Sequence, residues 1–349
     1  LPRLSFIDGA RIVNAQSASL LGESRTQSRL RRGGFVLALL ATLFTLPLLF
    51  LGGTVTTYRV GMAVPDWPST FGENMFTYNF WNAPFGVQLE HSHRLYGFAV
   101  GMATAILMSW LLAFDKRRWM KGLGLLAAVA VIVQAVLGGM RVDLISTLLA
   151  AVHGAVGQGF FGLLVAICVF SGSDWQSEQP TVADPARFRR RSVVLLALVY
   201  VQIVLGGWVR HFGAVWGLWL HGSLAFGVWL PAILLAIRIE KRKSLLPSLV
   251  WPGRALLTSS TLQIALGIGA LVSVWPYDGT PRPVGAYQAF FRTAHQTNAA
   301  VLFASAIVLA LRSFRHLAAG SIEGRTRGQE TSPDRLAVKP VPLEWEAVA

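Results

Sequence analysis

Glu90-His91-Ser92-His93-Arg94 stands at the head of the apolar run Leu95–Phe114. An acid, imidazoles and a guanidinium gather where a hydrophobic span begins. Ionisable groups there are costly to hold near lipid and read by default as a functional site. The run is one of eight, near 35–57, 94–114, 122–140, 148–170, 192–210, 217–237, 255–274 and 292–311. Each is long enough, or nearly so, to cross a hydrocarbon core of about 30 Å at about 1.5 Å per helical residue. Only 14% of the 349 residues are charged and 53% are hydrophobic, against about 25% charged in soluble domains. The fold class expected is an all-α membrane protein with eight transmembrane helices.

The net charge of +14 does not point to nucleic acid, because its distribution follows the spans. Segments 1–33, 115–121, 172–191, 238–254 and 312–349 hold 25 of the 31 Lys and Arg. The alternate segments hold only Arg59, Arg94, Arg141, Arg210, Arg282 and Arg292. This is the positive-inside pattern, which places both termini in the cytoplasm. Segment 1–33 is charged and polar, without a signal peptide, and the missing initiator Met implies an incomplete or processed start. The tail 313–349 is expected to be disordered. Cys168 is the single cysteine, which excludes an internal disulfide.

The spans repeat. Gln134-Ala-Val-Leu-Gly138-Gly139, Gln202-Ile-Val-Leu-Gly206-Gly207 and Gln263-Ile-Ala-Leu-Gly267-Ile-Gly269 end or occupy the third, fifth and seventh. The first has Leu51-Gly52-Gly53, with Leu48 at the glutamine position. Each following span opens with a histidine: His93, His153, His221 and His295. The unit is an out-and-back helical hairpin used four times. Two pseudo-symmetric four-helix bundles follow, with parallel halves. The expected division is an N-terminal segment 1–33, a bundle 34–171, a linker 172–191, a second bundle 192–312 and the tail 313–349.

The glycines, with Gly97 and Gly101, read first as helix-packing positions; a smooth wall for a flat macrocycle is the alternative. Interhelical hydrogen bonding accounts for the glutamines. A lone histidine in a span is usually a hydrogen-bonded structural residue, but four at matching positions and depth point to metal ligation. No HExxH helix, Cys cluster or carboxylate cluster accompanies them, which argues against zinc or di-iron. Two imidazoles from neighbouring helices suit haem iron. The expected pairs are His93 with His153 and His221 with His295. Arg94, Arg141, Arg210 and Arg292 lie near the same span ends and could pair with haem propionates; anchoring of the span ends is the plain alternative. Glu90, one turn before His93, has no counterpart at the other histidines, where Ala150, Leu218 and Arg292 stand. It is the candidate catalytic carboxylate, a helix cap being the alternative. His91 and His211 fall off the repeat frame and read as solvated.

These residues carry a resemblance. Glu90-x-x-His93-Arg94, Pro65-Asp66-Trp67-Pro68, His153-Gly154, His221-Gly222 and Ala294-His295-Gln296, spread over about 35–312, resemble haem A synthase. That family consists of eight-span membrane enzymes that convert haem O to haem A for terminal oxidases; the location expected for this chain is a bacterial plasma (inner) membrane. The resemblance implies haem O bound in the half with His93 and His153, catalysis by Glu90, and a resident haem b held by His221 and His295. It implies oxidation of a ring methyl to a formyl group by successive hydroxylations, delivery of substrate by haem O synthase, and an external electron partner. Paired outer-loop cysteines found in some members are absent here. Rival readings are a di-haem cytochrome b-like electron carrier, which would not need Glu90, and a haem-handling transporter or chaperone.

Overall fold

A computed structural model describes residues 5–176, 182–184, 187–275 and 283–318. In chain order these form α1 (Ser5–Tyr58), α2 (Phe85–Phe114), α3 (Arg118–Asp143), α4 (Thr147–Ser171), the single turn α5 (Ser173–Gln176), β1 (Val182–Ala183), α6 (Phe188–Phe212), α7 (Val215–Glu240), α8 (Pro247–Val272), α9 (Ala286–His316) and β2 (Leu317–Ala318). Eight of the helices are long and apolar enough to cross a membrane; in α1 the apolar part is Arg32–Tyr58. The chain is therefore a multi-pass membrane protein. Large apolar side chains such as Leu43, Leu125 and Val194 are exposed on these helices, as lipid-facing residues are.

The helices begin and stop for local reasons. The Ser146 hydroxyl caps α4 by accepting from the Leu149 amide at 3.2 Å, which satisfies one orphan donor. Gly213 closes α6 at φ 64°, in the left-handed region where glycine carries no side-chain penalty. Pro247 opens α8 at its first turn, where its missing N–H is harmless. Thr42, Thr45, Thr56 and Thr57 each donate to the carbonyl one turn earlier, so polar side chains ride inside an apolar helix without an unmet donor.

Helix α1 packs on α2, α2 on α3, α3 on α4, and α4 returns to α1. Likewise α6 packs on α7, α7 on α8, α8 on α9, and α9 on α6. The two sets meet through α1 with α9, α4 with α9, and α4 with α6. One apolar core lies within the first set, around Val100, Leu107, Ala127 and Leu164. The other fills the second set and the junction, where Phe161 and Val165 of α4 meet Phe303 and Ile307 of α9. Gly162 is needed there: a Cβ on it would fall 2.6 Å from the Phe303 ring.

Element ends differ from the sequence expectation in three informative places. Helix α2 starts at Phe85, well before the apolar run, and α6 starts at Phe188, inside the stretch read as linker. Helix α9 continues to His316, and β2 pairs in parallel with β1, Val182 with Leu317 and Ala183 with Ala318. Apolarity marks only the lipid-facing length of a helix, whereas backbone hydrogen bonding carries it on under loops and into the polar ends. Arg282 and the tail from 319 onward lie outside the described residues.

Candidate functional site

Each repeat histidine sits against the first glycine of the repeat motif on the preceding helix. A Cβ on Gly52 would fall 3.0 Å from His93 Cε1, on Gly138 3.2 Å from His153 Cε1, on Gly206 2.9 Å from His221 Cε1, and on Gly267 3.0 Å from His295 Cε1. Glycine serves here as a seat for an imidazole. It also uncovers the carbonyl one turn earlier, whose second lone pair is otherwise shielded. His153 Nδ1 is 3.2 Å from the Gln134 carbonyl and His295 Nδ1 is 3.2 Å from that of Gln263. His93 and His221 approach the equivalent carbonyls of Leu48 and Gln202 without reaching hydrogen-bond geometry. An imidazole that donates from Nδ1 presents Nε2 as its lone-pair nitrogen, the arrangement second-shell partners impose on metal-binding histidines.

The glutamines close the clamp from the other side. The side-chain amides of Gln134, Gln202 and Gln263 donate to the backbone carbonyls of His153, His221 and His295 at 3.2, 2.7 and 3.0 Å. Interhelical hydrogen bonding, the sequence reading of these residues, is what the structure has.

His93 and His153 face each other with ring centroids 6.5 Å apart and planes at 83°. His221 and His295 do the same at 6.1 Å and 81°. Two imidazoles bonded to opposite sides of one metal at about 2 Å hold their centroids about 6 Å apart. Both pairs fit that spacing. Among the described residues, no third His, Cys, Asp or Glu joins either pair in a metal-holding group.

Both pairs open on one cavity of about 1320 Å³, above the about 300–1,000 Å³ of a usual small-molecule pocket. Gly97, Gly101, Gly154, Gly207 and Gly222 line it. A Cβ on Gly101, Gly154, Gly207 or Gly222 would meet open space. The helix-packing reading of Gly97 and Gly101 is thus corrected: only Leu48, 4.0 Å from a Cβ on Gly97, comes near either. These glycines flatten the cavity wall, as a macrocycle would require.

Glu90 is 3% exposed and lies in the second turn of α2, whose N-cap is Pro84. It is therefore not a helix cap. Its Oε2 accepts from the Val64 amide at 3.0 Å, and its Oε1 from Arg94 Nη2 at 3.0 Å. Arg94 Nη2 also donates to the Val64 carbonyl at 3.0 Å, and its Nη1 to the carbonyls of Asp66 and Ser69 at 2.6 and 3.2 Å. The pair thus grips both the backbone N–H and the carbonyl of one loop residue, Val64. Arg141 approaches Glu90 Oε1 at 4.0 Å and donates to the Gly61 carbonyl.

That loop is organised by Asp66, which accepts from the Ser69 hydroxyl at 2.5 Å and from the Phe71 and Gly72 amides at 2.8 and 2.9 Å. Desolvation pushes the Asp66 carboxyl upward, but these hydrogen bonds outweigh it and hold the group below its ordinary value. The Trp67 ring lies so close over Gly139 that any side chain there would collide.

His91 and His211 correct the sequence reading. His91 is fully buried, with Nδ1 3.2 Å from Thr70 Oγ1 and its ring against Tyr78 and Phe80. His211 is half-buried and lines the cavity with Arg94, Arg141, Arg210 and Arg292. Neither could be found from the apolar pattern, because the covering atoms belong to loops and to the facing helices. Val64, Thr57 and Thr293 were also missed, since they act through backbone groups or through a hydroxyl pair that carries no motif.

Residues 35–219, just over half of the chain, match the COX15-CtaA family, described as cytochrome oxidase assembly protein. The chain belongs to that family. The match includes Glu90, His93, Arg94, Arg141, His153 and Arg210, and ends before His221. The Heme A synthase of Rhodopseudomonas palustris (strain BisB18) is 31% identical over 153 residues, covering 39% of this chain and 39% of the relative. The alignment thus spans about two fifths of that curated relative's length.

Proposed function

We propose that this cytochrome oxidase assembly protein is a haem A synthase of a bacterial inner membrane, oxidising a ring methyl of haem O to a formyl group. The observation that carries the reading is the spacing of two opposed imidazole pairs, 6.5 and 6.1 Å between centroids, on one cavity. We read the two helix sets as pseudo-symmetric four-helix bundles, 34–171 and 192–312, with both termini in the cytoplasm. Haem O would lie between His93 and His153, and a resident haem b between His221 and His295. When bound, the haem b iron supplies one-electron redox chemistry, exchanging electrons with an external partner.

The chain's own residues do the rest. The glycine seats hold all four imidazoles at the cavity wall, and at His153 and His295 the Gln134 and Gln263 carbonyls accept from Nδ1 and leave Nε2 as the lone-pair nitrogen, which at His295 lies 3.3 Å from the Gln263 side-chain amide. The small residues along its wall admit a flat ring and exclude side chains from it. Among the described residues Glu90 is the one carboxylate beside a histidine pair, and its buried position suits it to hold or move a proton at Oε1 or Oε2 near the reacting edge. Its grip on Val64, shared with Arg94, keeps the loop over that site and water out. Arg141, Arg210 and Arg292 give the outer end of the cavity a positive face for propionates; the Arg94 guanidinium is already committed to the loop and Glu90.

The test is co-production with haem O synthase, which would supply the substrate, followed by extraction and mass analysis of bound haem. Haem A from the intact chain and only haem O from the Glu90→Ala variant are expected. Haem b alone from both, at equal occupancy, would instead favour a di-haem electron carrier, which needs all four histidines but not Glu90.

A further inference from the structure

Arg210 is a half-buried cation, and no acid stands against it among the described residues. It rises from α6 one turn beyond Gly206, the seat of His221. Its Nη2 donates to the Gly53 carbonyl and to Thr57 Oγ1 on α1, and its Nη1 to the Arg292 carbonyl on α9 at 3.4 Å. Thr57 Oγ1 continues to Thr293 Oγ1 at 3.2 Å. Gly53 adjoins Gly52, the seat of His93, and Arg292 stands one turn before His295. One guanidinium therefore touches α1 of the first helix set and α9 of the second. Its Nε is buried and has no hydrogen-bond partner, and the residue lines the cavity.

Glu90, the acid at this end of the cavity, is engaged by Arg94 and Arg141. Arg210 forms no ion pair among the described residues. A guanidinium does not shed its proton, and a buried charge without a counter-charge is costly. The missing counter-charge is an anion the cavity receives. We propose that Arg210 binds a carboxylate of the porphyrin seated between His221 and His295, and that this contact ties occupancy of that site to the junction of the two helix sets. The proposal rests on the haem reading above. It assigns the charge to one site and gives an α6 residue a second task, at a contact with α1.

The test uses the full chain in detergent, produced in haem-deficient cells and titrated with haem b or with its dimethyl ester, which has no free carboxylate. Binding is read from the low-spin absorption band, in the wild type and in Arg210→Gln, Arg210→Lys and Thr57→Val. The wild type should prefer haem b over the ester, and Arg210→Gln should narrow that preference about tenfold or more, as loss of a charge-assisted hydrogen bond implies. Arg210→Lys should restore part of it. Thr57→Val, which removes one tether and leaves the guanidinium, should leave the preference unchanged.

An Arg210→Gln variant weakened equally toward acid and ester would overturn the proposal, making Arg210 only a strut between helices. A wild type that binds both forms equally would overturn it even if the glutamine variant does not fold. Absence of any low-spin band with either ligand would overturn the haem reading itself.

Discussion

The two histidine pairs are built alike and surrounded differently. Both have the glycine seat, the carbonyl acceptor and a near-perpendicular ring pair. Around His93 and His153 stand Glu90, Arg94 and Arg141, tied to a loop that folds over the pair. Around His221 and His295 the acid's place is taken by Leu218, and α6 passes to α7 through Gly213 and Ala214 alone. On the proposed function, the parts the two pairs share serve ligation, and the carboxylate that stands beside only the first among the described residues serves the chemistry.

The largest expected effect follows from that asymmetry. Glu90→Ala should lower haem A formation by about 10²–10⁴-fold, the range of a lost acid–base group, while haem at the second pair stays bound. Equal loss at both sites would erase the distinction. Next, His221→Ala or His295→Ala should strip the resident haem b by more than the about 10–100-fold that loss of an outer-shell partner costs. His93→Ala should abolish conversion and spare the resident haem. Haem analysis of purified variants checks both, and equal retention in all three would contradict the division of labour.

Smaller changes sharpen the comparison. Gly206→Val should displace His221 at about 1–3 kcal/mol of strain and weaken haem at the second pair only, while Gly138→Val should act on the first. A Soret titration showing both variants affecting both pairs would dissolve the seat. The smallest effect concerns the loop. Asp66 has its folded pKa below its ordinary value of 3.8, so its contribution to loop stability is present above that value and lost as pH falls through the lower folded one. Hydrogen exchange at Phe71 and Gly72 should therefore rise in acid relative to buried helix amides, with no matching change at Gly213. Asp66→Asn should show the raised exchange already at neutral pH.

Much of this was legible in the sequence because membrane spans announce themselves by length and apolarity, and because a fourfold repeat exposes Gly206 and His221 as one pattern with Gly138 and His153. The seat itself was not legible: glycine next to a helix reads as packing until the imidazole is seen against it. The start of α2 at Phe85 was hidden because Gln88 and Glu90 are polar and lie beneath a loop rather than in lipid. The partners of Glu90 and Arg94 are mainly backbone atoms of Val64, Asp66 and Ser69, which any residue type could supply. His91 looked solvated because Thr70, Tyr78 and Phe80 reach it only after the loop folds back.

The central claim is that each pair of opposed rings can share one iron. Electron paramagnetic resonance of the purified, oxidised full chain tests it most directly. Ring planes near 80° apart predict the strongly anisotropic low-spin ferric signal of perpendicular imidazoles from each occupied pair: the second pair's share is lost in His221→Ala and His295→Ala, the first pair's in His93→Ala and His153→Ala, and both are kept in Glu90→Ala. A high-spin signal from the intact chain, or a low-spin one that survives substitution of His93 and His221 together, would contradict the account.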